Sequence, residues 1–134
     1  MIQHFRFGSP IRTDSVVQDI PVSSDAVPFL TADADGWVYT MAPDAIVYGL
    51  GEMPRGINKR GWHYVANNTD ESHHGENKVS YYGAHNFLLI DGGPGGDLFG
   101  VFVDFPGKVH YDIGYTVHDT LRFATEEPCL LYTS

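Results

Sequence analysis

At 134 residues, 43% of them apolar and 13% aromatic, the chain has room for one hydrophobic core and lies well outside the composition of disordered segments. Its formal charge of −9, from 17 acidic and 8 basic residues, repels phosphate backbones and anionic headgroups, which argues against nucleic acid as a partner and leaves a neutral ligand such as a sugar compatible. The single cysteine, Cys129, cannot form an internal disulfide.

Residues 1–35 mix apolar positions (Phe5, Phe7, Ile11, Val16, Val17, Ile20, Val22) with Pro10, Pro21 and Pro28, which break any long helix, so short strands and coil are expected. From Trp37 the signal sharpens. Trp37-Val38-Tyr39-Thr40 and Ile46-Val47-Tyr48 are β-branched and aromatic runs bounded by Asp-Gly and Pro-Asp turn signals. Further runs follow at Trp62–Val65, Asn86–Ile90, Leu98–Val103, Lys108–Ile113 and Leu121–Phe123, and Pro128–Tyr132 begins one more. Turn clusters at 91–97, 105–107 and Gly114 separate them. Strands at about ten-residue spacing with no sustained 3.6-residue period predict an all-β fold, an antiparallel β-sandwich or barrel. Leu98–Val103 and Lys108–Ile113, joined by Asp104-Phe105-Pro106-Gly107, form the strongest candidate hairpin. No repeat or linker marks a second domain, so residues 1–134 are expected to form one unit.

The start MIQHFRFG has no long apolar core of the secretory type, and no run approaches the about 18 apolar residues of a membrane helix. A cytoplasmic protein that does not span a membrane is expected.

The motifs exclude several chemistries. His73-His74, Glu76 and His85 carry metal-ligand chemistry but match no established spacing, since adjacent histidines on a strand point to opposite faces; they read as a solvated polar loop, and no metal or cofactor is expected. Gly92-Gly93-Pro94-Gly95-Gly96 lacks the Gly-Lys-Ser/Thr ending of a phosphate cradle and reads as a hairpin loop. Gly49-Leu50-Gly51 has no parallel βαβ context. Cys129 sits in an apolar run and reads as a buried thiol, no G-x-S-x-G elbow occurs, and the pairs Asp70-Glu71 and Glu126-Glu127 cannot be placed across a glycosidic bond from sequence.

The stretch 48–66 supports two readings. Its glycines permit unusual backbone angles, Asn58, Lys59 and Arg60 supply donors, and Trp62, His63 and Tyr64 offer ring faces on which sugars stack. Alternatively it is a turn and edge strand whose aromatics enter the core and whose Arg60 pairs with a carboxylate.

Val47-Tyr48-Gly49-Leu50-Gly51-Glu52, Asn58-Lys59-Arg60-Gly61, Asn68-Thr69-Asp70, Tyr82-Gly83-Ala84-His85-Asn86-Phe87 and Phe99-Gly100-Val101-Phe102, in that order and spacing, resemble the N-terminal domain of glycoside hydrolase family 31 α-glucosidases, most of all bacterial, gut-type intracellular members. The resemblance covers about residues 40–132, and Arg6-Phe7-Gly8-Pro10 fits the same enzymes' N-terminus. It implies a galactose-mutarotase-like β-sandwich packed on a (β/α)₈ barrel that holds both catalytic carboxylates of a retaining mechanism. Such a barrel needs roughly 250 residues, so the resemblance implies a chain truncated before it, inactive alone and with no catalytic residue of its own. It also implies that Asp70 binds substrate, accepting hydrogen bonds from sugar hydroxyls at the pocket wall, with His73–Lys78 as a neighbouring edge. The expected partners are an oligosaccharide with α-linked glucose and the missing barrel of the same chain. The family continues beyond a strand like Leu130-Leu131-Tyr132, where this sequence ends at Thr133-Ser134. A stand-alone carbohydrate-binding β-sandwich and a purely structural domain are the rivals. A large apolar patch on one sheet favours the truncated-enzyme and structural readings; a shallow aromatic-lined groove favours independent sugar binding.

Overall fold

The computed structural model describes residues 5–7, 30–33, 36–67, 75, 77–79, 83–105, 107–126 and 130–133; among these the chain forms ten strands and no helix. They are β1 (Phe5–Phe7), β2 (Thr31–Asp33), β3 (Gly36–Thr40), β4 (Ile46–Gly51), β5 (Trp62–Ala66), β6 (Ala84–Asp91), β7 (Leu98–Asp104), β8 (Val109–Ile113), β9 (Thr120–Thr125) and β10 (Leu130–Thr133). All pairings are antiparallel and build two five-stranded sheets, β1-β10-β7-β6-β4 and β2-β3-β9-β8-β5, here sheets A and B.

Period-two alternation fixes which face of each sheet turns inward. Val47, Leu88, Ile90, Phe99, Val101 and Val103 bury from sheet A, and Trp37, Tyr39, Tyr64, Val109, Tyr111, Ile113, Leu121 and Phe123 from sheet B, forming one core between the layers. Each such fully buried side chain contributes about 1.5–3 kcal/mol of transfer free energy. Rings knit the interior: Trp37 stacks on Phe123 at 5.5 Å, and Tyr39 meets Phe99 of the opposite sheet edge-on at 5.0 Å. Asn86 faces inward too, and its polar ends are satisfied there: Tyr111 donates to its Oδ1 (3.2 Å) and its Nδ2 donates to the Phe105 carbonyl (3.1 Å).

The glycine-rich 92–96 stretch is the loop of the β6–β7 hairpin. Gly92 N donates to Asp97 O, Gly93 N to Asp91 Oδ1, and Gly93 and Gly95 adopt φ of 77° and 76°, where a Cβ is strained.

The hairpin expected between residues 98–103 and 108–113 does not form. β7 is hydrogen-bonded to β6 and β10, whereas β8 is bonded to β5 and β9, so the two strands lie in different sheets. A hairpin and a sheet-to-sheet crossover demand the same alternation, because both turn Val101, Val103, Val109 and Tyr111 toward one interior. The connection differs: half-buried Phe105 packs against the core and its carbonyl is taken by Asn86, which draws the chain across the end of the sandwich.

Candidate functional site

The stretch 48–67 begins on β4, an edge strand, with a bulge. The register of β4 on β6 shifts between Gly49 and Gly51, with φ of 124° at Gly49, 66° at Leu50 and 72° at Gly51. A Cβ on Gly49 would run into the Phe87 carbonyl, and one on Gly51 into the Gly83 carbonyl, so neighbouring backbone requires glycine at both positions. The bulge buries Leu50 completely despite its left-handed backbone.

The chain then returns along the edge it has just left. Lys59 N donates to Val47 O (2.7 Å), and Asn58 Oδ1 accepts from Val47 N (3.2 Å), which covers part of the open edge of sheet A. Lys59 is buried, with Nζ donating to the carbonyls of Met53 and Pro54 (3.3 and 3.2 Å) and lying over the Tyr64 ring at 5.7 Å. Among the described residues Arg60 binds no carboxylate, unlike the pairing that the turn-and-edge-strand reading expected. Its Nη1 donates to the carbonyls of Ala42, Pro43 and Ala45 (2.8, 3.0 and 3.1 Å) and its Nη2 to His118 O (3.2 Å). Four converging carbonyls present a partial negative charge that a planar guanidinium matches as well as one carboxylate does, and they tie the β3–β4 and β8–β9 turns together.

The rings of Trp62, His63 and Tyr64 divide. Tyr64 enters the core, whereas Trp62 and His63 stay half-exposed and join exposed Tyr115 in a ring cluster with centroid distances of 5.1, 5.1 and 4.6 Å. Arg55 lies 4.2 Å over the Trp62 ring, and Trp62 Nε1 donates to Lys78 O. Arg55 and Tyr115 were not legible as partners of Trp62, because one follows Pro54 in an irregular segment and the other sits in the β8–β9 turn. That turn is held by the Asp112 carboxylate, which accepts from Tyr115 N, Thr116 N and the Thr116 hydroxyl.

An open groove of about 380 Å³ runs beside β4, lined by Tyr48, Gly49, Gly51, Arg55, Gly56, Ile57 and Lys59. Among the described residues Tyr48 is its one aromatic wall, and the Lys59 amine is held by backbone carbonyls. No nucleophile and base face each other among these residues.

Asp70, the expected substrate contact, lies outside the described residues, as do His73, His74, Glu76, Cys129, Glu71 and Glu127. His85 and Glu126 are described and exposed. Among the described residues no group of three His, Cys, Asp or Glu side chains is placed to hold a metal ion, and no helix is long and apolar enough to cross a membrane. Burial, reinforced by the Asp97 carboxylate, pushes the Tyr39 phenol up to about 12.

Both outward faces of the sandwich are readable from register. On sheet B the outward row Arg122, Asp112, His63 is polar and charged, with His110 beside it. On sheet A the outward positions of β6 and β7 are Phe87, Leu89, Leu98 and Phe102, which are 46%, 37%, 70% and 44% exposed.

Comparison with solved structures agrees with this architecture. A Flavobacterium johnsoniae GH31 dextranase complexed with isomaltotriose superposes with a TM-score of 0.63 at 23% identity, over 81% of this chain and 13% of that one. The cycloalternan-degrading enzyme of Trueperella pyogenes gives 0.57 at 18%, over 72% and 13%. The cycloalternan-forming enzyme of Listeria monocytogenes, in complex with a pentasaccharide substrate, gives 0.61 at 17%, over 75% and 10%. The matched part is therefore only 13% of the first two chains and 10% of the third. No curated protein matches this chain. The family model of the glycosyl hydrolase 31 N-terminal galactose mutarotase-like domain matches residues 12–112, which is most of the sequence, and the chain belongs to that family.

Proposed function

We propose that residues 1–134 form the N-terminal domain of a retaining α-glucosidase that removes terminal α-linked glucose from oligosaccharides. The observation that carries this reading is the family match over residues 12–112, on a chain whose strands form a two-layered sandwich. In this proposal both catalytic carboxylates belong to a (β/α)₈ barrel elsewhere in the same protein, and the domain supplies a loop to the substrate pocket. Asp70 is the residue of that loop assigned to substrate, its carboxylate accepting hydrogen bonds from sugar hydroxyls. No cofactor takes part. The parent enzyme in this reading is bacterial, gut-type and cytoplasmic.

Two observations support this reading over independent sugar binding. Among the described residues the groove beside β4 is lined by one aromatic, Tyr48, and sheet A turns an apolar face outward.

The test is Asp70→Ala in the protein extended through the reading frame that follows residue 134. A lost charge-assisted hydrogen bond of about 1.5–3 kcal/mol corresponds to a roughly 10- to 150-fold fall in kcat/KM, expected mainly in KM. Unchanged kcat/KM would remove Asp70 from the pocket. A collapse of kcat by about four orders of magnitude at constant KM would make it part of the bond-breaking machinery instead.

A further inference from the structure

The three cations between residues 48 and 67 are used differently. Lys59 and Arg60 give their donors to backbone carbonyls, Lys59 to those of Met53 and Pro54 and Arg60 to those of two turns. Arg55 does not. Its side chain is exposed, its guanidinium lies 4.2 Å over the Trp62 ring, and among the described residues it pairs with no carboxylate and donates to no carbonyl. In a chain with 17 acidic and 8 basic residues, this is a planar donor fork left open.

That fork is held in place at a conformational cost. Arg55 has a φ of 69°, in the left-handed region that a side chain with a Cβ disfavours. The backbone just before it is pinned by the buried Lys59 amine, which takes the carbonyls of Met53 and Pro54. The ring beneath it is fixed as well, because Trp62 Nε1 donates to Lys78 O and the rings of His63 and Tyr115 pack against Trp62. A strained residue that its surroundings hold on both sides marks a place where the position of the side chain matters more than local stability.

Arg55 also lines the groove beside β4, together with Tyr48, Gly49, Gly51, Gly56, Ile57 and Lys59. Its volume of about 380 Å³ is within the range of small-ligand sites. No carboxylate lines it among the described residues, and the acid of this turn, Glu52, is directed at Gly83 instead. One aromatic wall is too little to hold a neutral sugar by stacking, but the guanidinium changes what the groove recognises. It matches a carboxylate through two parallel hydrogen bonds, charge for charge. A phosphate monoester carries about two negative charges and would leave one unmatched beside a chain of charge −9. The groove is open, which leaves the hydroxyls of a sugar ring in water, whereas an aryl body needs enclosure.

We propose that this groove binds a sugar-sized ring bearing one carboxylate, of the hexuronate class, with the carboxylate on the Arg55 fork and the ring against Tyr48. The site is built from this chain alone and does not depend on the α-glucosidase reading.

Ligand-observed NMR titration of the 134-residue chain at constant ionic strength tests it, with sodium glucuronate, glucose and glucose 6-phosphate as probes. Glucuronate is expected to bind at least about tenfold more tightly than either of the others, the worth of one charge-assisted hydrogen bond. Arg55→Asn tolerates the left-handed backbone but carries no charge, so it is expected to lose that preference with a melting temperature unchanged or raised. Glucuronate binding no tighter than glucose, or a preference that survives in Arg55→Asn, would overturn the proposal. Tighter binding of glucose 6-phosphate would overturn the carboxylate assignment. A melting temperature lowered by more than about 4 °C in Arg55→Asn would make Arg55 a packing group on Trp62 and overturn it too.

Discussion

Tyr39 Oη donates to Asp97 Oδ2 at 3.2 Å, joining the inward face of sheet B to the loop that links β6 and β7 of sheet A. Burial and this carboxylate both favour the neutral phenol, which is why its pKa is pushed up to about 12 from the ordinary 10.0 of a tyrosine. The folded state then binds the Tyr39 proton more tightly than the unfolded chain does. Its contribution to stability is complete below pH 10 and is lost as pH rises from 10 through 12. Urea unfolding from about pH 8 to about pH 11.5 should show an alkaline decline that is shallower in Tyr39→Phe. At about pH 8 the same variant should be less stable by about 1–2 kcal/mol, through the lost hydrogen bond. An identical alkaline slope in both proteins would contradict the assignment.

The bulge on β4 makes a contrast between two glycines. Gly49→Ala places a Cβ against the Phe87 carbonyl at a φ of 124°, and should cost more than about 2 kcal/mol in chemical denaturation. At Gly56 a Cβ would find no other group within 4 Å, and Gly56→Ala should change stability by less than about 1 kcal/mol.

Arg60 donates to four carbonyls from two separate turns. Arg60→Lys keeps the charge but replaces the planar fork with a point donor that cannot reach all four, so a loss of about 1–3 kcal/mol is expected in thermal unfolding. A wild-type melting temperature in Arg60→Lys would show that charge alone suffices.

Neighbouring residues on β6 should respond oppositely. Leu88 is fully buried, and Leu88→Ala should cost about 2–5 kcal/mol. Phe87, one position away, faces out, and Phe87→Ser should change the stability of the 134-residue chain by less than about 1 kcal/mol. Equal losses would mean that the face assignment of β6 is wrong.

The contrast also marks what could be read beforehand. The apolar run 86–90 and the alternation in 98–103 located both strands, because both signals depend only on residues near in sequence. Partner choice does not. The turn at 92–96 announced a hairpin through glycines that need positive φ, whereas the path through Phe105 depends on a side chain entering the core and on the distant amide of Asn86, neither of which leaves a local pattern. Arg60 shows the same limit: a cation before a strand suggested a carboxylate, and the structure supplies carbonyls from residues 42–45 and 118 instead. The sugar-facing role of Asp70 came from the resemblance of Asn68-Thr69-Asp70, and that residue lies outside the described part of the fold.

Whether these residues are the N-terminal domain of an α-glucosidase is decided by p-nitrophenyl α-glucoside hydrolysis, measured on the 134-residue chain beside the protein extended through the following reading frame. Turnover is expected from the extended protein and none from the short chain; hydrolysis by the short chain, or none from a folded extended protein, would overturn that reading.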